Sequence, residues 1–180
     1  FFAYHLSKVI SVPNLDIKNF FCQKYFIKDS KIKILPNWID TNLFSPNKNK
    51  IKHYMNSALF VGRLEDEKNP LLFVEAVIKA GLKATIVGNG SLLSQIKEIL
   101  KEVNHDIKLI NSIDNEKLAK IYKSHGFYII TSKYEGQPKS LLEAMSSGCC
   151  IISTNVQGIN NIISEKNGFL TKDYPNDIVK

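Results

Sequence analysis

The sequence lacks what would anchor it in a bilayer, staple it or tie it to a structural metal. No run of about 18 apolar residues occurs in its 180 residues, so no segment reads as a membrane-spanning helix. The first residues, FFAYHLSKVISVP, have neither the basic start, the long apolar core nor the small-residue cleavage site of a signal peptide. There is no initiator Met, and the chain is expected to be an internal piece of a longer protein. Cysteine is scarce: Cys22, Cys149 and Cys150 are odd in number and two are adjacent, which argues against a disulfide framework and for a reducing compartment. No CxxC or HExxH occurs and the four histidines are scattered, so no zinc site is expected. Acidic residues number 17 against 24 Lys and Arg, a formal charge of +7. That excess suits nucleic acid, anionic lipid or a phosphorylated ligand. Many of its lysines stand singly (Lys8, Lys18, Lys24, Lys28, Lys31, Lys33, Lys48, Lys50), the pattern of a solvated surface. With 44% hydrophobic and 23% charged residues the chain is not of disordered composition, and its length buries enough surface to fold without a staple.

What is present is an alternation of short apolar runs with longer amphipathic ones. Runs at 8–12, 31–35, 58–61, 84–87, 107–110, 127–131 and 150–154 are rich in Val and Ile and too short for helices, so they predict strands. Segment 69–80 begins Asn-Pro, an N-cap followed by proline at the first helical position, and stops at Gly81. Segment 91–103 places Leu92, Leu93, Ile96, Ile99 and Leu100 on one stripe. Segment 114–124 starts at a capping Asp, and 138–147 carries Leu141, Leu142 and Met145 before Gly148. Strand–helix–strand repetition with near-continuous apolar strands predicts an α/β fold, a Rossmann-like doubly wound parallel sheet from about Ala58 onward. Residues 36–52, with two prolines and no periodicity, read as a linker. The strand-like runs before it, around amphipathic 15–26, read as the tail of a preceding α/β domain.

Such sheets bind ligands beyond the carboxyl ends of their strands, which singles out loops 62–68, 88–90, 111–114 and 132–139. In VGRLEDEKNP, Gly62 permits a sharp turn, Arg63 is a rigid fork suited to phosphate or carboxylate, and Lys68 is a second charge five residues on. Surface charge balanced by Glu65, Asp66 and Glu67 is the alternative. In SKYEGQPKSLLEAMSSG, Glu135 lies in the loop, Gly136 permits close approach and Pro138 opens a helix. The first-turn amides of Lys139, Ser140 and Leu141 then make an anion site from N–H groups and the positive end of the dipole. Glu143 lies about 6–8 Å along the axis from the helix start. Two carboxylates could thus hold hydroxyls at the two ends of a ligand, with a phosphate between them and Arg63 and Lys68 compensating the charge. Alone, Glu143 reads equally as a solvated helix residue. Gly88-Asn89-Gly90 reads equally as a structural turn.

FVGRLEDEKNP, TIVGNGSLL, YEGQPKSLLEAMSSG and GINNIISEKNGFL, in that order, closely resemble the donor-binding half of the retaining glycosyltransferases of family 4 (glycosyl transferases group 1), of GT-B fold. ILPNWIDTNLFSP resembles that family's crossing between its two domains. The resemblance covers roughly residues 8–172. It implies residues 1–36 as the end of an acceptor domain, 37–56 as the interdomain crossing and 57–180 as the donor domain, lacking its last helix. It implies transfer of a sugar from a nucleotide diphosphate-sugar to a glycan or lipid-linked acceptor with retention, as in polysaccharide biosynthesis. Arg63 and Lys68 would bind the diphosphate and stabilise it as leaving group, and Glu135 would contact the donor sugar. Glu143 would bind the ribose, backbone at Asn111, Ser112 and Ile113 would meet the base, and Lys139, Ser140 and Leu141 would hold the phosphates. Gly62, Gly136 and Gln137 complete the implied donor site. The family needs no metal or other cofactor, and no Asp-x-Asp occurs here. The implied location is cytoplasmic, with peripheral contact to an anionic membrane at the inner face, and no nucleic-acid partner. The chain departs from the family pattern at Gly136-Gln137-Pro138, where Gly-Phe-Gly is frequent, and at Cys149-Cys150, where x-Pro is common. Two rivals remain at this point: a GT-B-fold nucleotide-sugar epimerase, and a non-catalytic nucleotide-sugar or nucleic-acid binding module.

Overall fold

The computed structural model describes residues 2–47 and 56–171. Residues 48–55 of the expected crossing, with Lys48 and Lys50, and residues 172–180, where the expected loss of a last helix falls, lie outside the described residues. In chain order the elements are α1 (Phe2–Leu6), β1 (Ile10–Val12), α2 (Leu15–Tyr25), β2 (Ile32–Ile34), β3 (Ser57–Val61), α3 (Pro70–Ala80), β4 (Lys83–Val87), α4 (Leu93–Glu102), β5 (Ile107–Ile110), α5 (Asn115–Lys123), β6 (Phe127–Ile130), α6 (Lys139–Ser146), β7 (Cys150–Thr154) and β8 (Phe169–Thr171). Single 3₁₀ turns form at Asp29–Lys31 and Asp66–Lys68.

β1 and β2 pair in parallel as a two-stranded sheet, with Ile10 opposite Ile32 and Val12 opposite Ile34. Strands β3 to β8 form a second, six-stranded sheet in the order β5-β4-β3-β6-β7-β8, every pair parallel. Counted from β3, this is the 3-2-1-4-5-6 order of the doubly wound fold predicted from the alternation of runs. The central strands β4, β3, β6 and β7 are largely buried on both faces, which is why they read as nearly continuous apolar runs. Leu59, Tyr128, Ile130 and Ile151 turn to the face covered by α5 and α6, where Leu118, Tyr122, Leu141 and Ala144 meet them. Ala58, Phe60, Ile86 and Ile129 turn to the other face, under α3 and α4. The first sheet has its own small core, Val12, Ile27 and Ile32, roofed by Ile17, Phe21 and Tyr25 of α2.

Helix boundaries follow local chemistry. Asp114 caps α5 through Oδ1, which accepts from Lys117 N at 2.8 Å. Gly81 ends α3 in the left-handed region, φ 64°. Asn69 is the N-cap of α3 and Pro70 its first residue, but Asn69 sits at φ 48° and its side chain makes no capping bond. Helix α4 starts two residues later than expected, because Glu65 draws Ser91 away: its Oε1 accepts from Ser91 N at 2.9 Å. Before β3, Phe44 inserts into the larger sheet's core against Tyr122, ring centroids 5.8 Å apart. β8 and α1 are not visible in the periodicity.

Candidate functional site

The strand order reverses between β3 and β6, and their chain continuations leave on opposite faces of the sheet. That parting is where such sheets bind ligands. A cavity of about 220 Å³ opens there, lined by Phe60, Val61 and Gly62 from β3 and the turn after it, by Lys68, by Tyr128 to Ile130 and Ser132 from β6 and its loop, and by Glu135 and Pro138 to Ser140.

Lys68 and Glu135 face each other in it. Lys68 Nζ lies 2.6 Å from Glu135 Oε1, with side chains 21% and 8% exposed. Ser132 Oγ donates to the same oxygen at 2.7 Å. A buried carboxylate needs such partners, since desolvating it unpaired costs several kcal/mol. Both charges are held from below. Thr131 Oγ1 donates to Lys68 O at 3.0 Å and Asn69 O at 2.8 Å, fixing the end of the 3₁₀ turn that carries Lys68. Thr154 Oγ1 donates to Ser132 O at 2.7 Å. Lys133 binds Asp66 at 2.7 Å and its N–H donates to Glu67 O at 2.9 Å, so the loops after β3 and β6 close on each other.

Opposite this pair, α6 begins. Pro138, its N-cap, provides no side-chain cap. The backbone N–H groups of Gly136, Gln137, Lys139, Ser140 and Leu141 have no acceptor among the described residues. Unpaired donors at the positive end of a helix, beside the half-buried Lys68, have the polarity that suits an anion.

The remaining expected residues are placed as follows. Arg63 follows the same strand end, but its guanidinium pairs with Glu67, is 69% exposed and does not line the cavity. Glu143 lies on α6, half-buried, 3.2 Å from the Tyr122 hydroxyl that also approaches Ser140 O at 3.2 Å. Burial pushes its carboxyl above the usual carboxylate range, against the opposing pull of the Tyr122 hydrogen bond and of Lys139. Asn111, Ser112 and Ile113 follow β5, two strands from the cavity, the first two exposed and Ile113 packed on the core. The Tyr128 hydroxyl, buried under the site, donates to Val61 O at 3.3 Å, and burial raises its pKa well above the ordinary phenol value. Gly88-Asn89-Gly90 is a structural turn: a Cβ on Gly88 would stand 1.8 Å from Gly62 O, and Leu64 N donates to Asn89 O at 2.8 Å.

Ser132 opens the loop 132–139 that the sequence singles out, and Thr131 ends the expected strand before it, but the sequence reading gave neither side chain a role. Gly158, Asn14 and Asn37 touch the 135–137 loop from afar (below); Gly158 and Asn37 lie in segments that carry the family resemblance, but nothing in local sequence ties any of the three to this loop. No cluster of three or more potential metal ligands occurs among the described residues. Among them, too, no helix is long and apolar enough to cross a membrane.

A family model described as glycosyl transferases group 1 matches residues 42–180. The chain is 31% identical, over 94% of its length, to the UDP-Gal:alpha-D-GlcNAc-diphosphoundecaprenol alpha-1,3-galactosyltransferase of Escherichia coli. It is 31% identical, over 74% of its length, to the N-acetylgalactosamine-N,N'-diacetylbacillosaminyl-diphospho-undecaprenol 4-alpha-N-acetylgalactosaminyltransferase of Campylobacter jejuni. It spans 48% and 37% of those proteins, half their length or less. Among solved structures it superposes on the pneumococcal O-GlcNAc transferase GtfA in complex with UDP and GlcNAc, with TM-score 0.79 and 25% identity over 96% of this chain and 38% of that one.

Proposed function

The chain belongs to the glycosyl transferases group 1 family, and from that premise we propose that it is the donor half of a glycosyltransferase. The protein carries a sugar from a nucleotide diphosphate-sugar to a glycan or lipid-linked acceptor, with retention. Residues 1–36 close the acceptor domain, 37–56 cross between domains and 57–180 hold the donor. The observation that carries this reading is the cavity at the β3/β6 parting, where a half-buried Lys68–Glu135 pair faces the unpaired N–H groups at the start of α6. Diphospho-undecaprenol in the names of both relatives supports a lipid-linked acceptor. Such an acceptor supports peripheral contact with an anionic membrane.

The chemistry follows from the charges. As the glycosidic bond breaks, negative charge builds on the leaving diphosphate, and preorganised donors aimed at it lower the barrier. Lys68 exchanges its bond to Glu135 for one to the diphosphate. The N–H groups of Lys139, Ser140 and Leu141 take the other phosphate oxygens. Glu135, released from Lys68, turns to the sugar hydroxyls beside Gly136 and Gln137. Arg63, exposed at the rim, swings from Glu67 to the phosphates. Gly62 leaves room for them at the end of β3. Glu143 takes the ribose hydroxyls, and the backbone at Asn111, Ser112 and Ile113 meets the base. In this reading Lys68, Arg63 and the start of α6 meet the phosphate charge, and no divalent cation is required.

A screen of nucleotide diphosphate-sugars for thermal stabilisation in EDTA tests the reading. A ligand at about 100 times its Kd adds ~2.7 kcal/mol, which for a chain of this size raises Tm by roughly 5–10 °C. Absence of any stabilising nucleotide sugar would overturn the function, and stabilisation only with a divalent cation would overturn the metal-free site.

A further inference from the structure

The segment ahead of the larger sheet reaches across to the loop at the cavity mouth, residue by residue. Asn14 Nδ2 donates to Gly136 O at 2.8 Å. Asn37 donates twice to the next residue, its N–H to Gln137 Oε1 and its Nδ2 to Gln137 O, each at 2.6 Å. The Lys139 ammonium lies 5.5 Å from the ring centroid of Trp38. Asn14 is fixed at its other end too, since its Oδ1 accepts from Ile17 N at 2.9 Å and caps α2. Helix α2 is tied down by a hydrogen bond from Asn161 to Asp16. Ile17 Cδ1 lies 3.1 Å from where a Cβ on Gly136 would stand. From another part of the chain Gly158, at φ +87°, presses on the loop: a Cβ there would stand 2.3 Å from Glu135 O and 2.4 Å from Gly136 O.

These contacts orient the peptide planes. In a trans peptide the N–H points opposite to the preceding carbonyl. With Gly136 O on Asn14, the Gln137 N–H points away from α2. With Glu135 O against Gly158, the Gly136 N–H points away from Gly158. Neither N–H has an acceptor among the described residues. The bonds from Asn14 Nδ2 and Asn37 Nδ2 end on main-chain oxygens, so they set direction more than they bury area.

We propose that Asn14 and Asn37 are positioning residues. They hold loop 135–137 so that the N–H groups of Gly136 and Gln137 face the sugar of a bound nucleotide diphosphate-sugar. Contact between the two sheets' segments therefore sets how strongly the chain prefers the sugar nucleotide over the bare nucleotide diphosphate. The inference rests on the donor reading above.

Asn14→Ser separates this role from a merely structural one, because serine caps α2 as well as asparagine but is too short to reach Gly136. Asn37→Asp is the second variant: it keeps the backbone N–H bond and loses the Nδ2 donor. Calorimetry on the full chain with UDP and UDP-galactose should find UDP affinity within about twofold of the unaltered chain. UDP-galactose affinity should fall about five- to tenfold in each variant, the worth of one hydrogen bond. Hydrogen exchange without ligand should quicken across 132–141 and stay unchanged in α2. Unchanged binding of both ligands, or equal losses for both, would overturn the proposal, as would unchanged exchange in the loop. If the unaltered chain binds neither nucleotide, the donor reading itself fails and the sugar-facing role goes with it. Loop exchange still decides whether the asparagines hold the loop.

Discussion

Two carboxylates eight residues apart are held in opposite ways. Glu135, 8% exposed, has a lysine and a serine on one oxygen. Glu143, half-buried, has a tyrosine hydroxyl and a raised pKa whose main cause is burial. A carboxyl whose folded pKa is raised binds its proton more tightly in the folded state. Its contribution is therefore fully present below the unfolded value and is lost as pH rises through the folded one. At pH 7 the ionised Glu143 is a liability that Gln would remove. Glu143→Gln should raise Tm at pH 7 by ~1–2 °C, a small effect because water still screens the group. The gain should vanish below the ordinary value of 4.5. Thermal melts between pH 4 and 8 check this, and equal shifts at all pH values would contradict it. The same variant should weaken UDP if the carboxylate takes the ribose. Arg63 and Lys68 read alike in sequence as cations flanking one turn. Structure separates them because Lys68 ends a 3₁₀ turn whose carbonyl Thr131 holds over the cavity, whereas Arg63 finds Glu67 four residues on. Partners 63 residues away in sequence leave no local trace.

The seven strands expected from apolar runs all form; in β3, β4, β6 and β7 burial on both faces imposes the run, whereas β1, β2 and β5 keep an exposed residue among apolar ones. Their ends were less legible. β1 and β2 shrink to three residues each, since a two-stranded pair offers few bonding partners beyond its middle. β8 was hidden because Phe169–Thr171 is too short to show a period and forms only by adding to the edge of β7. The α6 start was legible from Gly-Gln-Pro followed by an amphipathic run, whereas the clamp on it was not. The glycine turn after β4 shows how tightly elements meet at the sheet's carboxyl edge. Gly88 lies against the turn after β3, with a virtual Cβ 1.8 Å from a backbone oxygen that cannot yield. Gly88→Ala should cost about 2–4 kcal/mol and lower Tm by ~5–15 °C. It should also weaken UDP binding, because the turn it displaces leads to Lys68. A melt within 2 °C of the parent would show that the two turns can separate freely.

At the scale of the whole molecule the charge is uneven. Residues 1–36, one fifth of the chain, hold six lysines against two aspartates, a net +4 of the total +7. Several of these lysines share a surface with apolar side chains. On and after α2, Leu15, Phe20 and Phe26 are exposed, Phe26 by 83%, and Lys24 lies over the Phe20 ring at 5.3 Å. Lys28 is exposed two residues beyond Phe26, whereas Lys18 is drawn back to Asp29 at 2.8 Å. Such a surface suits the membrane contact proposed for a lipid-linked acceptor, with cations attracted to anionic headgroups and aromatic rings entering the interface. Each basic residue near an anionic surface is worth about 1 kcal/mol at low salt, so a net charge of four implies roughly 10²–10³-fold tighter binding to phosphatidylserine vesicles than to phosphatidylcholine ones. At about 0.5 M salt the Debye length falls to ~4 Å and the preference should disappear. Replacing Lys24 and Lys28 by Glu should remove most of it without lowering UDP affinity, since neither residue lines the cavity. Cosedimentation at 50 mM and 500 mM salt reads this out. Equal binding to both vesicle types at low salt would assign the basic surface to solvation alone. So would a Lys24→Glu/Lys28→Glu variant that sediments like the parent.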